Sequence, residues 1–131
     1  MVKDITHATL FETLMSGDID GSPYHLHHDY QCIKIAYDTT EKRLELRFIN
    51  DDDRIVLEFK QATIASFRFN PLKLRTCDTL ISFHRGEFLR NNNLHEVTEQ
   101  GEFYFLLELL EDDAITVFAK QVLLRKSNLN S

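Results

Sequence analysis

Between Ile33 and Phe59 apolar and polar residues alternate with a period of two in three successive runs, separated by two clusters of turn-forming residues. Ile33, Ile35 and Tyr37 alternate with Lys34 and Ala36, Leu44, Leu46 and Phe48 alternate with Glu45 and Arg47, and Ile55, Leu57 and Phe59 resume the pattern. A period of two places alternate side chains on opposite faces of an extended chain, so each run predicts a strand with one buried face. The breaks are Asp38-Thr39-Thr40-Glu41-Lys42 and Asn50-Asp51-Asp52-Asp53. Asn and Asp tolerate left-handed backbone and bond their own main chain, so both breaks predict tight turns and the three strands pair antiparallel.

Beyond Phe59 the apolar parity slips from odd (Phe59) to even (Ile64) and back to odd (Phe67, Phe69), so 54–69 is either one bulged strand or two strands. After Asn70-Pro71, residues 79–89 predict a further strand, ended by Asn91-Asn92-Asn93. Phe103 to Leu110 is apolar on both faces, which suits a central strand covered on two sides or a homodimer interface through 103–110. Ile115 to Leu124 predicts the last strand, with a fraying polar tail over 125–131. At the other end, Asp4 stands as an N-cap before apolar Ile5, Ala8, Phe11, Leu14 and Met15, with Gly17 beyond, which predicts one helix over 4–15 and a loop to Asp29. The expectation is a mainly β, α+β fold in one domain, 1–131. Its antiparallel meander of six to seven strands spans 31–124 as a curled sheet or small open barrel with one N-terminal helix.

A chain of 131 residues with 43% hydrophobic and 27% charged residues has ordinary globular composition. Its net charge of −6 argues against nucleic acid and anionic membranes as partners. No signal peptide or membrane-spanning segment is expected, and the two cysteines, Cys32 and Cys77, fit a reducing compartment, so the expected location is the cytoplasm.

The densest chemical cluster is His25-Leu26-His27-His28-Asp29. His25 and His27 share a face if extended, with Asp29 on the same side, a spacing that zinc or another divalent ion can use; the bland alternative is a solvated loop in which Asp29 caps a turn. In a simple meander this segment, the 50–53 turn and residues 91–100 share one end, which would gather His25, His27, His28, Asp29, Asp51, Asp52, Asp53, Asn91, Asn92, Asn93, His95 and Glu96; if 54–69 is two strands, the later turns change ends and Asn91 to Glu96 leave this group. His95-Glu96-Val97-Thr98-Glu99 begins like the zinc-protease helix H-E-x-x-H but has Glu99 in place of the second histidine. No nucleophile elbow or phosphate loop occurs, and a mid-strand Cys32 is a poor nucleophile, so no enzyme activity is expected. Lys60, Arg68, Lys73 and Arg75 fall in a stretch free of acids, with Phe67 and Phe69 flanking Arg68. Aromatics interleaved with cations could meet nucleic acid, but on so acidic a chain the rings belong to the core and the cations face an acidic protein or the chain's own turns. The runs Asp51-Asp52-Asp53 and Glu111-Asp112-Asp113 are either solvated hairpin tips or a docking surface whose carboxylates speed association with a basic partner.

Together, His28-Asp29, Ile33-x-Ile35-x-Tyr37-Asp38, Leu44-x-Leu46-x-Phe48, Ile55-x-Leu57-x-Phe59, Phe67-x-Phe69-Asn70 and Ala119-Lys120-Gln121-Val122 are similar to small β-rich immunity proteins of bacterial toxin–immunity systems. The resemblance covers the middle third and the last strand. It implies a cytoplasmic, noncatalytic protein that binds and blocks a toxin, often through acidic residues against a basic target; no binding residue carries over from it, and under this reading no cofactor is expected. The leading expectation is therefore a protein-binding module. The alternative is a small ligand- or metal-binding β-barrel, extending to a hydrolase, that uses His25, His27, His28 and Asp29 with zinc or another divalent metal.

Overall fold

The computed structural model describes residues 1–9, 12–69, 78–88, 94–95, 98–99 and 101–129. In chain order the strands are β1 (Val2–Asp4), β2 (Ser16–Ile19), β3 (Ser22–His25), β4 (Gln31–Asp38), β5 (Arg43–Ile49), β6 (Asp53–Lys60), β7 (Thr63–Arg68), β8 (Leu80–Arg85), β9 (Glu87–Phe88), β10 (Leu94–His95), β11 (Thr98–Glu99), β12 (Glu102–Leu109), β13 (Ala114–Ala119) and β14 (Gln121–Asn128), with a single helical turn, α1 (Leu26–Asp29), after β3. The fold is mainly β and antiparallel, without a closed barrel; eleven strands have three or more residues, against the six to seven expected.

The first sheet has the order β1-β14-β6-β5-β4; the second has β11-β12-β13-β7, with β8 also on β12. Both predicted turns form as their side chains dictate. Asp38 Oδ1 accepts the amides of Thr40 (2.9 Å) and Glu41 (3.1 Å), and Asn50 Oδ1 those of Asp52 (2.8 Å) and Asp53 (2.6 Å).

The parity slip at 54–69 resolves into two strands that belong to different sheets. The chain turns a corner at Gln61, whose φ is +50°, and the buried Ala62, whose amide reaches Lys42 O at 2.7 Å. The neighbouring chain breaks at the same level, where Lys120 N donates to Lys60 O at 3.1 Å, so the expected single strand 115–124 is also two strands. The pair β6/β14 thus leaves the first sheet and continues as β7/β13 in the second. A register shift adds a second parity change: Thr116 pairs Ser66 and Val117 pairs Ile64, leaving Ala65 as an extra residue. The strands at sheet margins, β4 and β8, carry the same device at Ile33 and Ile81.

Leu46, Phe48, Ile55 and Leu57 of the first sheet and Leu107, Ile115 and Val117 of the second are fully buried in one core. Phe59, Phe83 and Phe105 meet across it with ring centroids 5.7 to 6.2 Å apart, the edge-to-face range that aromatic quadrupoles favour. β12 is paired on both edges, by β13 on one and by β8 and β11 on the other; Phe105 and Leu107 face the core, while on the outward face Tyr104 packs on Phe118 at 5.2 Å, Leu106 is half-buried and Glu108 is exposed.

Two expectations fail at the ends. The helix expected over 4–15 is absent from the described residues of that segment: Asp4 ends β1, and Thr13 and Leu14 lie along β8, with Leu14 N donating to Phe83 O at 2.7 Å. Asp4 accepts the Thr6 amide (2.9 Å) and hydroxyl, a local turn that competes with helix formation. Burial acts to raise the Asp4 carboxyl, but these bonds and that from Gln121 outweigh it and hold the group below its ordinary value. At the other end, the tail does not fray at 125, since Arg125 to Asn128 pair with Val56 to Asp53. Lys126 is buried there, with Nζ 2.8 Å from Ser22 Oγ and 3.6 Å from Asp53 Oδ2. The loop expected over 16–29 contains the β2–β3 hairpin, turning at Asp20 and Gly21, both of positive φ.

Candidate functional site

The two sheets meet a second time where β4 begins. Cys32 N donates to Asp78 O and Asp78 N to Cys32 O, each at 2.8 Å, a single bridge between the margin of the first sheet and the residues leading into β8. A depression lies on each side of this seam.

On one side is an apolar groove of about 360 Å³ lined by Cys32, Ile33, Lys34, Ile35, Phe67, Phe69 and Asp78. The bulge at Ile33 turns that side chain outward and leaves it 44% exposed; Phe67 is 55% exposed and stacks on Phe69 with centroids 4.2 Å apart. Contiguous exposed apolar surface of this kind marks sites of contact with other molecules. Burial pushes the Cys32 thiol up to about 12, against an opposing backbone hydrogen bond at Lys34 and with the nearby Asp78 carboxylate adding to the rise. It is therefore no nucleophile at ordinary pH. Phe67 and Phe69 share the groove, while Arg68 points the other way and donates through Nε to Asp112 O at 2.8 Å; Lys60 stands 3.8 Å from Glu58. The interleaved platform of rings and cations is thus not formed by these residues. Lys73 and Arg75, like Cys77, lie outside the described residues.

On the other side is a polar depression of about 470 Å³ lined by His27, His28, Asp29, Tyr30, Gln31, Ile49, Asn50, Asp51 and Thr79. The turn α1 exists because Leu26 is buried and its amide is bound by Met15 O at 2.7 Å, while His25 caps the turn by accepting the His28 amide on Nδ1 at 3.3 Å. His27 Nδ1 lies 2.9 Å from Leu80 O. Ring centroids are 4.3 Å apart for His25 and His28, 5.0 Å for His27 and His28, and 6.4 Å for His25 and His27. Of the expected gathering, His27, His28, Asp29 and Asp51 line this one depression, whereas His25, Asp52 and Asp53 are not part of its lining. Of the further members, Asn91, Asn92, Asn93 and Glu96 lie outside the described residues, and His95 is described by its backbone alone, opposite Glu87.

The six carboxylates read as a docking surface separate into different environments. Asp51 and Asp52 are exposed at the hairpin tip, and with Asp29 they have no ion-pair partner among the described residues. Asp53 is half-buried, 3.6 Å from Lys126 Nζ and 3.5 Å from the Tyr30 hydroxyl, so it serves the interior. Burial, with Asp53 and Asp29 close by, raises that hydroxyl above its ordinary value. Glu111 and Asp112 are exposed on a different hairpin, in consecutive left-handed conformations with φ +60° and +63°. Asp113 is 1% exposed and closes the hairpin, its carbonyl accepting from Leu109 N at 2.8 Å. Asp113 is thus buried and Asp53 half-buried against Lys126 and Tyr30, a difference from Asp51 and Asp52 that the run of like residues conceals. Among the described residues no three His, Cys, Asp or Glu side chains stand ready to hold one metal ion, and no described helix is long and apolar enough to cross a membrane.

In comparisons with known proteins the chain matches no family model, no curated protein and no solved structure.

Proposed function

We propose that the chain is a noncatalytic, cytoplasmic protein-binding module that engages a basic partner across the Cys32–Asp78 seam, in the manner of the bacterial immunity proteins its strands resemble. One observation supports this most: an apolar groove with two prominent side chains, Ile33 and Phe67, lies directly beside exposed carboxylates that no described cation neutralises. Interfaces concentrate binding energy in a few buried apolar anchors and draw association rate and selectivity from charges at the rim. In this reading Ile33, Ile35, Phe67 and Phe69 receive an apolar anchor, while Asp29, Asp51 and Asp52 meet Lys or Arg.

The test is the complex with a basic protein encoded beside this chain, followed by surface plasmon resonance at low and high salt. Asp51→Asn with Asp52→Asn should lower the association rate and flatten its salt dependence, and Phe67→Ala should speed dissociation at least tenfold. A missing complex, or one whose kinetics neither variant alters, overturns the reading.

A further inference from the structure

The polar depression carries a second capacity that does not depend on a protein partner. We propose that His27 and His28 bind one Zn2+, with Asp29 or Asp51 completing the ligand set.

A carbonyl can only accept, so the 2.9 Å contact from His27 Nδ1 to Leu80 O fixes the proton on Nδ1 and leaves the Nε2 lone pair for a ligand. A ring held through its other nitrogen by a backbone carbonyl is the usual outer-sphere arrangement of zinc-bound histidine, because it sets both tautomer and orientation. The spacing of the rings also fits. A Zn–N bond of about 2.0–2.1 Å puts an imidazole centroid about 3.2 Å from the metal, so two rings on a tetrahedral ion stand about 5 Å apart. His27 and His28 have centroids 5.0 Å apart, inclined at 69°. His25 has a different task, since its Nδ1 is engaged by the His28 amide and its ring packs on His28 at 4.3 Å, which restrains the second ligand.

The carboxylates supply charge and the remaining coordination. Asp29 follows His28 in the same helical turn, and Asp51, from the β5–β6 hairpin, lines the same depression. Neither is paired with a described cation, and the depression has room for an ion with its residual waters. Because no third ligand is already in position, the ion must draw one in by side-chain rotation. That requirement predicts micromolar rather than structural-zinc affinity, and a protein that folds without metal.

The experiment is isothermal titration of the metal-stripped full chain with ZnCl2, in the absence of any partner. One ion per chain should bind, with affinity falling at least tenfold in His27→Ala and in His28→Ala and unchanged in His7→Ala, a histidine remote from the depression. Long-range 1H–15N spectra of the histidine rings should show zinc shifting His27 Nε2 while Nδ1 keeps its proton, a readout that a loss of folding does not mimic. Binding that survives in the His27→Ala/His28→Ala variant, millimolar affinity, or ligation through His27 Nδ1 each overturns the proposal. Such a failure leaves the partner reading intact when the surface plasmon resonance of the complex is run with chelator in the buffer.

Discussion

Removing the ammonium of Lys126 while keeping its aliphatic stem should destabilise the fold by an amount that the surroundings set. The side chain is 8% exposed, lies between inward-facing Leu124 and the end of β14, and its Nζ joins Ser22 Oγ of the N-terminal hairpin to Asp53 Oδ2 of β6. In Lys126→Met the stem still packs, so the loss is electrostatic. Deleting one partner of a fully buried ion pair costs about 3–5 kcal/mol, mostly through the charge left behind. Asp53 is 22% exposed and keeps water and the Tyr30 hydroxyl within reach, so its penalty is smaller. We expect roughly 2–3 kcal/mol, an estimate that adds about 1 kcal/mol for the lost hydrogen bond to Ser22 to a reduced charge penalty. For a chain of this length that is a fall in Tm of about 6–12 °C, followed by circular dichroism on heating and in urea at neutral pH. Replacing both charges, in Lys126→Met with Asp53→Asn, should recover most of the loss, since no unpaired charge remains. A single variant within about 0.5 kcal/mol of the parent, or a double variant as unstable as the sum of the singles, would refute the reasoning.

Other outcomes follow from the buried titrating groups. In the native protein at pH 8 the Cys32 peptide should resist iodoacetamide and become reactive in urea; stoichiometric native alkylation of that peptide would contradict the burial that raises its thiol to about 12. Because the unfolded thiol ionises from about 9 while the folded one stays protonated, stability should fall between pH 9 and 12. Cys32→Ala should flatten that slope in urea titrations. Burial holds His84 below its ordinary value against the opposing Glu108, and its Nε2 has no hydrogen-bond partner among the described residues. The unfolded chain therefore takes up a proton first as pH falls below about 6.5, and stability declines from there. His84→Leu should weaken that decline, and an unchanged profile would show that the ring is not the source.

Much of the first sheet was legible because β4, β5 and β6 pair with their neighbours in sequence. The 38–42 and 50–53 turns are written in Asp38 and Asn50, whose side chains make the predicted bonds, and the slip between Phe59 and Phe67 announced an irregularity that proves to be both a corner and a bulge. The segment 4–15 misled because Ile5, Leu14 and Met15 are buried at spacings a helix would share, yet they are buried by chain laid along β8 and β14. Asp20-Gly21 carried an overlooked hairpin signal. The site was legible only in part. The meander argument brought His27, His28 and Asp51 together correctly, but the seam at Cys32 and Asp78 and the groove beside it arise from long-range pairing that no local pattern encodes. Likewise, Asp112 and Asp113 are adjacent and chemically alike, and only the tertiary fold exposes one and buries the other.

The corner shared by β6/β7 and β13/β14 has a consequence for how this molecule comes apart. Two neighbouring strands run through both sheets, so either sheet can open only by pulling on chain that the other holds, and Phe59 stands just before that corner with its ring against Phe83 and Phe105. Native-state hydrogen exchange should therefore find the amides of Ile55 to Phe59 and of Ile115 to Val117 in one cooperative unit, opening together at the free energy of global unfolding. β1, at the edge of the first sheet, and the separate two-stranded β2–β3 hairpin should open first, and exchange there as slow as in Ile55 to Phe59 would refute this order.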